Sequence, residues 1–120
     1  MSDLQIGLVG VTGRGWLATY AHRPGQGARI AACCDIAADA REVALERFGA
    51  DTFVTADFDE LLRLDLDAIF ITTPDFLHEE MAVAALEAGK PVFLEKPMAI
   101  TTAGCDRILE TAARTGGKLY

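Results

Sequence analysis

Leu4-Gln5-Ile6-Gly7-Leu8-Val9-Gly10-Val11-Thr12-Gly13-Arg14-Gly15 is the stretch on which the fold turns. Its first half is a short apolar run, the length of a strand buried on both faces. Its second half is a glycine cluster from which a helical segment opens. A strand, a glycine-rich turn and a helix in that order make a phosphate cradle. A helix N-terminus offers free N–H groups and the positive end of its dipole, and glycine removes the Cβ that blocks close approach.

The same alternation continues along the chain. Arg29–Cys34, Thr52–Val54, Leu66–Thr72 and Pro91–Leu94 are further strand-like runs, and Lys118-Leu119-Tyr120 reads as the opening of a sixth. Between them lie helical stripes. Ala40, Val43, Ala44 and Phe48 form one, Leu77, Met81, Ala84, Ala85 and Ala88 a second, and Cys105, Ile108, Leu109 and Ala112 a third. Asp57 with Glu60 has the spacing of a capping box. Alternating strands and helices require right-handed crossovers and a parallel sheet covered on both sides. The expected fold is therefore α/β, a Rossmann-type doubly wound parallel sheet of six strands in the order 3-2-1-4-5-6. Ligands on such sheets bind beyond the carboxyl ends of the strands, so the tips after strands 1, 2, 4 and 5 are where function is sought.

The glycine turn matches the dinucleotide pattern G-x-G-x-x-G at Gly10 and Gly15, with Thr12 in the middle place where glycine allows the closest approach. Gly13 and Arg14 complete the loop. Asp35 closes strand 2, about 20 residues beyond Gly15, where a carboxylate accepts hydrogen bonds from the adenosine ribose. Asp35 is equally placed to cap the helix that follows. A carboxylate there repels a 2′-phosphate, and the next residue, Ile36, is not basic, so NAD is expected over NADP. Arg41 in the next helix is the alternative phosphate partner. Two more segments reach the same edge: Ile71-Thr72-Thr73-Pro74-Asp75-Phe76-Leu77-His78 and Glu95-Lys96-Pro97.

At 120 residues the chain is one domain. Its net charge of −7 argues against nucleic acid, which needs a basic face. No run reaches membrane-spanning length and no secretory leader is legible in Met1-Ser2-Asp3, so a cytoplasmic protein is expected. Cys33, Cys34 and Cys105 lack metal-ligand spacing. Neighbours in a strand, Cys33 and Cys34 should face opposite sides of the sheet as small buried apolar groups.

Ala88-Gly89-Lys90-Pro91-Val92-Phe93-Leu94-Glu95-Lys96-Pro97, together with the Thr-Pro turn whose histidine follows the proline by four positions, resembles the Gfo/Idh/MocA family of glucose–fructose oxidoreductase and inositol dehydrogenase relatives. The resemblance covers residues 1–120 as that family's N-terminal cofactor domain. It implies that Lys96 is the catalytic residue, reaching the substrate hydroxyl beside the nicotinamide, and that Glu95 bonds the nicotinamide ribose. It implies a cis peptide before Pro97, and Thr72, Thr73, Pro74 and His78 lining the nicotinamide side. Asp75 departs from the asparagine common in the family. The resemblance also implies a hydride transfer at a carbinol or carbonyl carbon of a sugar, inositol or related polyol. A second domain, absent here, would supply the pocket, further catalytic groups and homo-oligomer contacts. This chain is then expected to bind cofactor without turnover. Two competing readings are a non-catalytic dinucleotide-binding or sensor module, which Thr12 favours, and a related reductase of the dihydrodipicolinate type, which normally lacks Glu-Lys-Pro.

Overall fold

The computed structural model describes residues 2–120. Five parallel strands, β1 (Leu4–Val9), β2 (Ala28–Cys34), β3 (Phe53–Thr55), β4 (Ala68–Ile71) and β5 (Val92–Leu94), form one sheet in the order β3-β2-β1-β4-β5. The strand order reverses between β1 and β4, as a doubly wound sheet requires. The sixth strand expected from Lys118–Tyr120 reaches only a parallel bridge on the outer edge of β5. There the Val92 N–H donates to Lys118, Tyr120 to Val92 and Leu94 to Tyr120, at 2.8–2.9 Å.

Helices α1 (Ala38–Phe48), α2 (Phe58–Leu62), α3 (His78–Glu87) and α4 (Thr102–Thr115) fill the connections. Two apolar clusters lie on the two faces of the sheet. One gathers Val9, Cys34, Ile69, Ile71 and Val92 under Leu61 of α2, Ala82 and Leu86 of α3, and Ile108 of α4. The other gathers Ile6, Leu8, Ile30 and Cys33 under Ala40, Ala44 and Phe48 of α1 and Ala18. Cys33 and Cys34 thus fall in opposite clusters, as strand alternation predicts. Burial raises their thiols to about 12 and about 11 respectively, so both stay protonated at neutral pH.

The helical segment expected after the glycine turn is a 3₁₀ helix over Gly13–Ala21, longer than most such runs. Two local expectations are corrected. On α4 the buried face is Gly104, Ile108 and Thr111, and Leu109 is half-exposed. On α3 the buried set is His78, Ala82, Val83, Ala85 and Leu86, while Ala88 is exposed. In both helices the apolar stripe was displaced by small or polar residues that pack well: Gly104 and Thr111, whose hydroxyl donates to the Arg107 carbonyl, and a hydrogen-bonded histidine. Asp57 does cap α2, accepting from the Asp59 N–H at 2.9 Å.

Candidate functional site

The turn after β1 is built for close approach. Gly10 has φ +87°, and a Cβ there would lie 2.7 Å from the Thr72 carbonyl carbon and the Thr73 nitrogen. A Cβ on Gly15 would collide with the Gly10 carbonyl oxygen. Each position therefore needs glycine, Gly10 for its backbone conformation and its contact with β4, Gly15 for the seating of the 3₁₀ segment on the strand end. The Thr72 hydroxyl fastens the turn from the other side of the switch point, donating to the Gly10 carbonyl at 2.7 Å. Arg47 reaches from α1 to the Val11 carbonyl at 3.1 Å.

With those carbonyls occupied, the turn presents donors. Among the described residues no protein acceptor takes the Thr12, Gly13 or Arg14 N–H, whereas Gly15 donates to Thr12 at 3.2 Å. Free N–H groups at a helix start are the chemistry a pyrophosphate requires. The residues present therefore fit a dinucleotide, despite Thr12 in the middle glycine place. Thr12 is exposed in an extended conformation and its side chain caps nothing, so it does not close the cradle.

Asp35 stands at the end of β2 and does not cap α1, whose N-cap is Ala37 with no side-chain bond; the carboxylate instead turns the chain just ahead of that helix. Its Oδ1 accepts from the Ala37 N–H and its Oδ2 from the Val11 N–H, both at 3.0 Å. The second bond ties the carboxylate to the glycine turn itself. Each carboxylate oxygen keeps a further lone pair with which to accept from ribose hydroxyls. Arg41 is turned to the backbone, donating to the Asp35 carbonyl at 2.8 Å and the Ile36 carbonyl at 3.2 Å.

A cleft of about 610 Å³ runs along this edge. Gly10, Thr12, Gly13, Arg14, Asp35, Ile36, Thr72, Thr73 and Pro74 line it, together with Phe58, Phe76, Leu77 and Met81. Gly15 lies beneath it, buried. Phe58 and Ala56 lie at the tip after β3, outside the four strand tips where function is expected; the carboxyl-edge rule, extended to every strand, includes them. Phe76 and Leu77 lie inside the Thr-Pro turn already singled out.

His78, Glu95, Lys96 and Pro97 do not line that cleft. His78 is 1 % exposed and sits below the loops. Glu95, Lys96 and Pro97 follow β5, and the Lys96–Pro97 peptide is cis. Glu95 Oε1 accepts from the Lys96 N–H at 3.1 Å, and Oε2 lies 3.6 Å from the Arg14 Nε, joining this corner to the glycine turn. Lys96 is exposed and, among the described residues, its ammonium has no carboxylate partner.

Residues 4–120 match the family described as oxidoreductase family, NAD-binding Rossmann fold, Gfo/Idh/MocA. The chain belongs to the Gfo/Idh/MocA family. It is 43% identical over 95 residues to the inositol 2-dehydrogenase of Klebsiella pneumoniae subsp. pneumoniae, a match covering 78% of this chain and 28% of that enzyme. Its fold superposes with a TM-score of 0.89 on scyllo-inositol dehydrogenase from Lactobacillus casei with bound NAD(H) and scyllo-inositol, at 27% identity, covering 99% of this chain and 36% of the other. A 3-ketoreductase from Actinomadura kijaniata, in complex with TDP-benzene and NADP, is 28% identical with a TM-score of 0.84, covering 98% of this chain and 38% of the other. This Gfo/Idh/MocA chain thus spans about a third of the length of such relatives and corresponds to their NAD-binding Rossmann part. Its fold, and its place in the family, agree with what the Glu-Lys-Pro and Thr-Pro stretches implied. Among the described residues no group of acidic, cysteine or histidine side chains has metal-holding geometry, and no helix is long and apolar enough to cross a membrane.

Proposed function

We propose that this chain is the cofactor half of an oxidoreductase that moves a hydride between NAD and a carbinol or carbonyl carbon of an inositol, sugar or related polyol. The observation that carries the reading is the corner at the end of β5. An exposed ammonium without a carboxylate partner, Lys96, stands beside Glu95, which is itself linked to the glycine turn through Arg14. A dinucleotide whose pyrophosphate rests on the Thr12–Arg14 N–H groups has its adenosine end toward Asp35 and its nicotinamide end toward Thr72–Pro74 and Glu95. Glu95 then accepts from the nicotinamide ribose. Lys96 holds and polarises the substrate oxygen, stabilising alkoxide charge as the carbon–hydrogen bond breaks. The nicotinamide supplies the hydride chemistry.

NAD over NADP follows from Asp35. Its carboxylate has acceptor capacity left for ribose hydroxyls and repels a 2′-phosphate, while Arg41, the candidate phosphate partner, is bonded to two backbone carbonyls. The relatives' remaining length is where the proposal places the shaping of the substrate pocket, the second catalytic set and the subunit contacts. This chain by itself is proposed to bind cofactor without turnover.

Fluorescence titration tests the cofactor assignment. NADH should bind at least about tenfold tighter than NADPH, a gap of roughly 1.4 kcal/mol, and Asp35→Ala should narrow it. Equal affinities, or tighter NADPH, overturn the assignment. In the full-length gene product Lys96→Ala should lower kcat by about 100-fold, the order seen when an oxyanion donor is removed, with NADH affinity little changed. Unchanged turnover removes Lys96 from the chemistry.

A further inference from the structure

The β4–α3 and β5–α4 loops flank the nicotinamide end of the site, yet the ladder joining their strands stops short of them. Its last bond is the Glu95 N–H donating to the Ile71 carbonyl at 3.0 Å. Beyond it, among the described residues, the hydrogen-bonded link between the two loops runs through one side chain. His78, the first residue of α3, puts Nδ1 2.6 Å from the Pro97 carbonyl oxygen and Nε2 3.0 Å from the Thr73 carbonyl oxygen. Both partners are acceptors, so the ring must donate. A neutral imidazole donates through one nitrogen and an imidazolium through both. The shorter contact, to Pro97, marks the bond the geometry favours.

We propose that His78 is a positioning residue. Held at the base of the Thr73 loop and 1 % exposed, it fixes the Lys96–Pro97 corner through the Pro97 carbonyl and so sets Glu95 and Lys96 at the nicotinamide. The proposal rests on the reading of Glu95-Lys96-Pro97 as the nicotinamide corner. The ring touches neither cofactor nor substrate; it acts on Lys96 through the backbone. A buried donor that holds a loop's carbonyl matters because losing it leaves that carbonyl without a partner unless the loop moves. Loop movement of about 1 Å is enough to spoil a contact made by Lys96.

Two conservative variants separate the two carbonyls. His78→Asn keeps a donor near the Nδ1 position, facing Pro97. His78→Gln keeps one near the Nε2 position, facing Thr73. ADP and NADH are titrated into the wild-type chain and both variants. ADP reports the Asp35 and glycine-turn half; the difference between NADH and ADP reports the nicotinamide corner. In His78→Gln, NADH affinity should fall about tenfold, the size of one lost hydrogen bond, with ADP affinity within about twofold of wild type. In His78→Asn, NADH affinity should stay within about threefold. The ¹⁵N-amide resonances of Lys96 and Met98 should move in His78→Gln and hold in His78→Asn. A merely structural histidine lowers ADP and NADH affinity in parallel, and that result overturns the proposal, as does a His78→Gln chain that binds NADH like wild type. A wild-type chain that binds NADH no tighter than ADP instead removes the nicotinamide corner itself, and the proposal with it.

Discussion

Replacing Gly10 by alanine should cost far more than the same change three residues on, although both glycines have positive φ. Gly10 stands at φ +87° and Gly13 at φ +61°. Holding a Cβ-bearing residue in that half of the map costs roughly 1–2 kcal/mol at either site. The surroundings separate them. A Cβ on Gly13 meets no heavy atom within 4 Å, whereas one on Gly10 lies 2.7 Å from Thr72 C and Thr73 N and 2.8 Å from Thr72 O. Those atoms are backbone just beyond the end of β4, a strand paired on both sides, and Thr72 is itself bonded to the Val9 and Gly10 carbonyls, so they cannot turn aside as a side chain does. Forcing β1 and β4 apart adds about 1–3 kcal/mol, the usual cost of overpacking. Gly10→Ala should thus lose about 2–5 kcal/mol and Gly13→Ala about 1–2 kcal/mol, against a total stability of about 5–15 kcal/mol. At roughly 4 °C per kcal/mol for a domain of this size, that is a fall in Tm of about 8–20 °C for the first and about 4–8 °C for the second. Circular dichroism melts, with urea midpoints as a second measure, read both. If the two variants melt within about 2 °C of each other, steric closure of the turn by β4 is not what requires glycine at Gly10.

His22 accepts the Ile30 N–H on its Nδ1 at 3.1 Å, and burial, with Arg29 nearby, lowers its pKa below the ordinary 6.5. The unfolded chain therefore binds this proton more readily than the folded one, and its contribution to stability is complete above about pH 6.5 and lost as pH falls toward the depressed folded value. Urea midpoints should drop between about pH 7.5 and pH 5, and His22→Asn, which keeps an acceptor that does not titrate, should flatten that part of the curve. An unaltered pH dependence in the variant would show that His22 is not its source. The thiols make a third case. Cys105 is partly exposed, while Cys33 and Cys34 are buried with thiols raised to about 12 and about 11. A disulfide reagent at pH 8 should modify Cys105 alone in the folded chain and all three in denaturant; early modification of Cys34, which faces the cleft, would mean that the end of β2 opens readily.

Much of the site was legible because its chemistry is local in sequence. The glycine turn, Asp35 at the end of β2, the Thr-Pro turn and Glu95-Lys96-Pro97 each follow a strand, and topology brings strand ends to one edge. What periodicity misplaced has one physical cause. On α3 and α4 an apolar stripe is a guide to burial only when polar residues cannot be satisfied inside. His78 finds two carbonyls and Thr111 finds the Arg107 carbonyl, so both are buried, and Leu109 is turned out. The 3₁₀ form of Gly13–Ala21 had no signal in the apolar pattern either, since the segment buries only Gly15 and Ala18.

The sequence by itself therefore determined the parallel doubly wound sheet, the strand tips that carry function and the family, because strand runs, glycine spacing and a contiguous Glu-Lys-Pro are written along the chain. Only the tertiary structure decided which partners those residues take. Asp35 is bonded to the glycine turn, Thr72 clasps that turn across the switch point, Arg41 is bound to backbone carbonyls, and His78 lies under the site rather than in its cleft. Each of these is a contact between segments far apart in sequence or a competition among several acceptors for one donor. Distance and direction in the folded chain settle such contacts, and spacing along the sequence carries neither.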